Sequence, residues 1–129
     1  MRVLLDTHAT LWFLAGDERL SARGRQFIGA PETELLFSVA SLWEIAVKHS
    51  LGRLPLVRPF GELFPGQLDT DGVRLLAVEP AHLARLVGLP FHHRDPFDRL
   101  ILAQALVEGV PVLSRDRAFA AYGAEVVWD

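Results

Sequence analysis

The stretch DPFDRLILAQALVEGVPVLSRD, residues 95–116, contains the clearest helix of the chain and the strand that follows it. Proline at the first helical position and glycine after the last apolar turn predict a helix over Pro96–Glu108 that ends at Gly109. The next apolar residues, Val110–Leu113, predict a buried strand. A helix followed at once by a strand is typical of domains in which the two alternate.

The same alternation extends over the whole chain of 129 residues. Further apolar strands are predicted at Arg2–Leu5, Leu35–Phe37, Val73–Val78 and Glu125–Val127. Further helices are predicted at Thr7–Leu14, Ser21–Gly29, Val39–Leu51, Phe60–Asp69, Pro80–Val87 and Arg117–Tyr122. This order predicts a single α/β domain over residues 1–129, with a parallel sheet covered by helices on both faces. Ligands of such sheets bind beside the carboxyl ends of the strands, so functional residues are expected there.

The composition narrows the class of function. Half of the residues are hydrophobic, which suits a folded core, and the absence of cysteine excludes disulfides and thiolate metal sites. No apolar run reaches the roughly 20 residues of a membrane span, and the start of the chain lacks the apolar stretch of a signal peptide. We therefore expect a cytoplasmic protein. The net charge of −3 argues against a general nucleic-acid-binding protein, but it is compatible with a nuclease whose carboxylates hold cations.

Four acidic residues are expected near the carboxyl edge of the sheet: Asp6, Glu44, Asp98 and Asp116. Packed carboxylates repel one another unless a cation neutralises them, and Mg²⁺ or Mn²⁺ prefers oxygen ligands of this kind. A divalent cation in such a site can activate water against a phosphodiester bond. The sequence therefore predicts a metal-dependent nuclease in which these four residues are catalytic and hold the metal.

Each acid also has a structural explanation. Asp6 and Asp116, which follow apolar strands, are suited to cap helices. Glu44 pairs favourably with Lys48, and with Ser41 it has the spacing of a capping box. Asp98 stands in the first turn of a helix that Asp95 is predicted to cap, where a negative charge stabilises the helix dipole. A non-catalytic binding domain of the same fold is therefore an alternative.

The histidines do not have the spacing of a zinc site. His92 and His93 are adjacent and do not share a helix face, and no His-Glu-x-x-His motif occurs. His49 and His82 are predicted to have no role in the site. A histidine-ligated zinc centre is not expected, whereas His8, close to the first acid, is predicted to support the acidic ligands.

Four motifs carry a resemblance to a known family: LLDTH at 4–8, SVASLWEIAVK at 38–48, HRDPFDRLILAQA at 93–105 and LSRD at 113–116. Together they resemble the PIN-domain ribonucleases, and most closely the VapC-type toxins of toxin–antitoxin pairs. The likeness extends over essentially the whole chain, in order and with similar spacing. It implies a five-stranded parallel sheet in a three-layer α/β/α sandwich and an endoribonuclease activity that depends on Mg²⁺ or Mn²⁺.

The resemblance also implies roles for particular residues and partners. The acidic residues of the family correspond to the four acids above, and its small hydroxyl residue corresponds to Ser114. Many members have asparagine where this chain has His8, which leaves the role of that position open. Members are usually homodimers, and a small antitoxin typically inserts a segment into their acidic groove.

Basic and aromatic residues near the acids are candidates for RNA contact. Four arginines flank the acidic positions and are hypothesised to bind RNA phosphates: Arg94, Arg99, Arg115 and Arg117. The alternative is that they are solvated charges or pair with Asp95 and Asp116. Trp12 and Trp43 could stack on bases, but their apolar neighbours favour contacts in the core or in a dimer.

Two phosphoryl-transfer folds also place acids at strand ends. A response-regulator receiver would need a lysine after a late strand, and the only lysine here is Lys48. A haloacid-dehalogenase-like phosphatase would need a second acid two residues after Asp6, where His8 stands. Both are disfavoured.

Overall fold

The centre of the computed structural model, which describes residues 1–128, is a five-stranded parallel sheet. Its strands are β1 (Arg2–Leu5), β2 (Glu34–Ser38), β3 (Val73–Leu76), β4 (Val112–Leu113) and β5 (Val126–Val127). They lie in the order β3–β2–β1–β4–β5, so β1 is the middle strand. The predicted parallel sheet is confirmed. β4 is shorter than predicted because Pro111 has no backbone N–H to donate to the ladder.

Helices cover both faces of the sheet. They are α1 (Thr7–Ala15), α2 (Ala22–Gly29), α3 (Val39–Ser50), α4 (Leu68–Thr70), α5 (Pro80–Val87) and α6 (Pro96–Glu108). A 3₁₀ segment, Arg117–Tyr122, lies between β4 and β5. Within residues 1–128, none of the helices is long and apolar enough to cross a membrane.

Two hydrophobic clusters show the three layers. Successive side chains of β1 point to opposite faces, so Val3 and Leu5 enter one cluster and Leu4 enters the other. The first cluster includes Ile45 of α3, and the second includes Ile101 of α6. The sheet is therefore buried on both faces, as its nearly continuous apolar strands predict.

The segment predicted as one helix over Phe60–Asp69 is irregular. It has π-type hydrogen bonding over Glu62–Gln67 and is interrupted at Phe64, whose backbone is extended at φ −131° and ψ 108°. Pro65 lacks an N–H and disfavours helical geometry in the residue before it, so a regular helix cannot pass this point.

Polar side chains start several helical segments at the carboxyl edge of the sheet. Asp6 caps α1 directly after β1, and Ser38, the last residue of β2, caps α3. Asp95 caps α6, as predicted, and Asp116 caps the 3₁₀ segment after β4. The parallel direction of the strands brings the helix starts after β1, β2 and β4 to one edge. The start of α6 follows a loop after α5, and its Asp98 lies near Asp6 and Glu44.

Candidate active site

Asp6 is both a helix cap and a member of the acidic edge. Its side chain is only 6% exposed. One carboxylate oxygen accepts the Ala9 backbone N–H at 2.7 Å, and the other accepts the Ser114 hydroxyl at 2.5 Å. Burial raises the pKa of Asp6, while these two hydrogen bonds oppose the rise. The structural interpretation of Asp6 as a helix cap is therefore confirmed, and its catalytic role stays a prediction.

Glu44 lies one turn into α3 and is 3% exposed. Its Oε1 accepts the Thr7 hydroxyl at 2.8 Å, and its Oε2 accepts the Lys48 ammonium at 2.5 Å. Because Ser38 caps the helix, Glu44 lies too deep for the capping box with Ser41 that was one structural alternative. The predicted pair with Lys48 does form. Thr7 is a support that the sequence analysis missed, because its partner is remote in the chain.

Asp98 stands in the first turn of α6 and faces the other acids. Burial, together with the negative charges of Asp95, Glu44 and Asp6, raises the pKa of Asp98 to about 7, and His93 opposes the rise. A carboxylate in such surroundings is stabilised by a nearby cation. Asp98 is therefore the clearest sign in the fold of a site suited to a positive ion.

His93 bridges two acids at this edge. Its Nε2 lies 2.8 Å from Asp116 Oδ2 and 3.2 Å from Asp98 Oδ2. Its Nδ1 accepts the Asp95 backbone N–H at 3.2 Å, so in the neutral ring the proton is on Nε2 and points at the carboxylates. Stacking on Phe119 holds the ring in place.

His93 was given no role in the sequence analysis, yet it lies among the acids. The potential ligand atoms of His93, Asp98 and Asp116 all lie within 4.8 Å of one another. Motif spacing relates only residues on one helix, so it does not find His93, which reaches the site from the loop before α6. The only sequence signal was its place at the start of the HRDPFDR motif.

The four predicted acids reach the same edge but differ in their surroundings. Asp6 and Asp116 line one cleft, together with His8. Asp116 is partly exposed and caps the 3₁₀ segment through Oδ1, which leaves Oδ2 for His93. Glu44 lies deeper, with both oxygens already bonded. The open part of the cluster is therefore formed by Asp98 and Asp116, while Asp6 lines the same cleft as Asp116 but is buried and hydrogen-bonded at both oxygens.

The donor set fits a small divalent cation. Carboxylate oxygens are the ligands that Mg²⁺ and Mn²⁺ prefer, and an imidazole nitrogen nearby is better tolerated by Mn²⁺. Asp6 and Asp116 line one cleft, and ligand oxygens of Asp98 and Asp116 lie within 4.8 Å of one another. The negative charges near Asp98 contribute to its raised pKa, and a cation would neutralise them. Ser114 and Thr7 orient the acids from behind, as hydrogen-bonding neighbours of metal ligands commonly do.

The predicted contact of Arg99 with an RNA phosphate is wrong. It is 7% exposed, and its guanidinium donates to the carbonyl oxygens of Pro90 at 2.8 Å and Leu89 at 3.3 Å. It also stacks on Phe91, at 4.2 Å from the ring centre. Because α6 turns this position toward the interior, Arg99 holds the loop that carries His93 and does not face solvent.

The other three arginines and the two tryptophans differ from Arg99 in exposure. Arg94, Arg115 and Arg117 are exposed, so they stay candidates for RNA contact. Trp43 is 61% exposed and packs against Phe97, which excludes the core alternative for it. Trp12 is partly buried against the core and also lines the cleft that contains Asp6.

The fold and the acidic edge define an α/β domain with a site suited to a divalent cation. The PIN domain matches residues 3–125, and this chain belongs to that family. Ribonuclease VapC22 of Mycobacterium tuberculosis is 34% identical over 116 residues, which cover 89% of this chain and 87% of that protein. The predicted relationship to VapC ribonucleases is therefore confirmed.

Solved structures support the fold. VapBC2 from Rickettsia felis, bound to a DNA fragment from its promoter, matches with a TM-score of 0.69 and 12% identity over 100% of both chains. VapC20 of M. tuberculosis, described as a sarcin–ricin loop cleaving toxin, matches with a TM-score of 0.67 and 20% identity. That match covers 98% of this chain and 99% of the other. At these identities the likeness shows the three-layer fold alone.

Proposed function

We propose that this protein is a metal-dependent endoribonuclease and the toxin of a toxin–antitoxin pair. The observation that carries the proposal is the acidic edge, where Asp6, Asp98 and Asp116 gather and the pKa of Asp98 is raised to about 7. Membership of the PIN family and the relative named as a ribonuclease support the reaction class.

In this proposal the acids bind the cation and the residues behind them fix their geometry. Bound Mg²⁺ or Mn²⁺ supplies charge neutralisation and water activation in sites of this kind. Ser114 and the Ala9 N–H hold the two oxygens of Asp6 in a fixed orientation. Glu44, tied to Thr7 and Lys48, completes the negative wall of the site.

His93 is assigned as a positioning residue. Its Nε2–H is shared between Asp98 and Asp116, which come from different elements of the fold. The backbone N–H of His93 donates to the Tyr122 hydroxyl at 2.7 Å, so the loop itself is anchored. His93 thereby sets the spacing of the two carboxylates before a cation binds.

The proposed partners are RNA, a cognate antitoxin and a second copy of this chain, all in the cytoplasm. Toxin–antitoxin complexes among the structural neighbours support the antitoxin. An antitoxin segment with a positive charge would find compensation at the acidic edge. Co-expression with the product of a small neighbouring reading frame tests this partner: co-purification and loss of RNA cleavage are expected.

RNA cleavage tests the reaction directly. Purified protein is incubated with a structured RNA in Mg²⁺, in Mn²⁺ and in EDTA, beside Asp6→Asn and Asp98→Asn. Asp69→Asn is the matched control, because Asp69 is an exposed acid on α4. We expect cleavage by wild type and control only when metal is present. Cleavage that persists in both site variants, or no cleavage with metal, would refute the proposed nuclease site.

A further inference from the structure

A cleft of about 270 Å³ opens beside the acidic edge. Its lining residues are Asp6, His8, Trp12, Arg115 and Asp116. One wall is acidic and belongs to the site described above. The opposite wall is aromatic and basic, and the proposed chemistry leaves it without a role.

Trp12 is the centre of that second wall. It packs against the hydrophobic core on one side and meets Trp128 edge-on, with ring centres 5.8 Å apart. The guanidinium groups of Arg19 and Arg115 lie 5.1 Å and 6.0 Å from its ring centre. Arg19 is itself paired with Asp17 at 2.7 Å, so Arg115 is the cation beside the ring that can meet a ligand. The core thus holds the indole, and the His8 ring lies 5.8 Å from it on the acidic side.

The basic character continues away from the acids. A neighbouring cleft is lined by Ser114, Arg115, Arg117 and Trp128, among others, so Arg115 belongs to both clefts. Within residues 1–128, neither Arg115 nor Arg117 forms an ion pair with a carboxylate. Their charges are therefore available to an anionic ligand that passes from one cleft to the other.

We propose that this wall is a subsite for an unpaired nucleotide of RNA next to the phosphate that is cut. Trp12 stacks on the base, and Arg115 pairs with the adjoining phosphate. Aromatic stacking with a positive groove is the usual means of holding single-stranded nucleic acid without sequence readout. Arginine suits the phosphate because its planar fork can donate two parallel hydrogen bonds.

The proposal rests on the proposed function and adds the residues that would hold a nucleotide beside the acids. A base inside a duplex is stacked on its neighbours and cannot offer a face to Trp12 without being unpaired. We therefore expect this wall to bind single-stranded RNA more tightly than duplex RNA. Because Trp12 shares its cleft with Asp6 and Asp116, the bound nucleotide would lie directly beside the acids.

Binding of a fluorescein-labelled single-stranded RNA of about 12 nucleotides tests the subsite. Anisotropy is measured in EDTA, so that no cleavage occurs and the result does not depend on the nuclease reaction. We expect Trp12→Leu to weaken binding about tenfold and Trp12→Phe, which keeps a ring, to weaken it less than threefold. The same RNA annealed to its complement should bind at least tenfold more weakly.

Salt dependence separates the two contacts. Losing one phosphate contact lowers the slope of log affinity against log salt by about 0.7 for a single strand, so Arg115→Gln should show this change and Trp12→Leu should not. Arg53→Gln is the matched control. Arg53 follows the end of α3, which runs away from the acidic edge.

Since Trp12 also packs against the core, circular dichroism must first show that its variants are folded; Arg115 is exposed, and its variant tests the subsite in either case. Unchanged affinity and slope in Arg115→Gln, with equal binding of duplex and single strand, would refute the subsite. No binding by wild type at low salt would refute it as well. Either result would favour binding of a protein partner at this wall. The nuclease proposal is tested separately, by RNA cleavage.

Discussion

Replacing Arg99 by leucine should destabilise the fold strongly, although arginine on a helix beside an active site is usually a surface charge. The substitution leaves the carbonyl oxygens of Pro90 and Leu89 without their donor and removes the stacking on Phe91. Hydrogen bonds to charged groups contribute about 1.5–3 kcal/mol each, and water can reach part of this loop. We expect a loss of about 3 kcal/mol, which lowers Tm by roughly 10 °C in a domain of this size.

Urea and thermal unfolding measure this loss, with Arg94→Leu as the control. Arg94 is an exposed neighbour, so its variant should stay within about 0.5 kcal/mol of wild type. Arg99→Lys should recover less than half of the stability, because a lysine ammonium cannot reach both carbonyl groups in the same geometry. If Arg99→Leu unfolds like wild type, while RNA binding falls and Arg99→Lys restores it, Arg99 contacts phosphate and the assignment is refuted.

Three further predictions concern the site and the core. In EDTA, Asp98→Asn should raise the free energy of unfolding by about 2 kcal/mol near pH 7. This is about half of the free energy that the raised pKa of Asp98 implies, because part of the side chain stays exposed to water. A raised carboxyl pKa costs stability above the unfolded value, so this gain should vanish below about pH 4; a gain that is independent of pH would contradict it. His93→Leu should weaken Mn²⁺ binding several-fold in calorimetry. His93→Gln, which keeps a hydrogen-bond donor, and the control His92→Leu should both bind Mn²⁺ nearly as tightly as wild type. Equal weakening by His93→Leu and His93→Gln would exclude the positioning role. Phe37→Ala should cost about 3–5 kcal/mol in urea unfolding, since Phe37 is fully buried between β-sheet and helices, and a loss below 1 kcal/mol would contradict that packing.

The sequence was sufficient for the sheet and for the place of the acids. Asp6 and Asp116 follow apolar strands, and parallel strands bring whatever follows them to one edge. The capping of α6 by Asp95 was also readable, because proline after an acidic residue marks a helix start. These features depend on short stretches of chain and on one general rule of sheet topology.

The supporting contacts were not predictable in the same way. His93 meets Asp116 across 23 residues, and Thr7 meets Glu44 across 37, so no local spacing relates them. Arg99 has the sequence context of a surface charge, and its burial depends on how the loop before α6 folds over it. Such contacts follow from the packing of remote segments, which periodicity does not describe.

A single titration tests most directly whether the acidic edge holds the cation that cuts RNA. Mn²⁺ occupancy, from the electron paramagnetic resonance signal of free Mn²⁺, and the rate of RNA cleavage are measured in the same samples of wild type and Asp98→Asn. In wild type the two curves should share one midpoint, and in Asp98→Asn both should shift to higher Mn²⁺ or disappear. Cleavage before any Mn²⁺ binds, or full occupancy of wild type without cleavage, would contradict the proposed nuclease site.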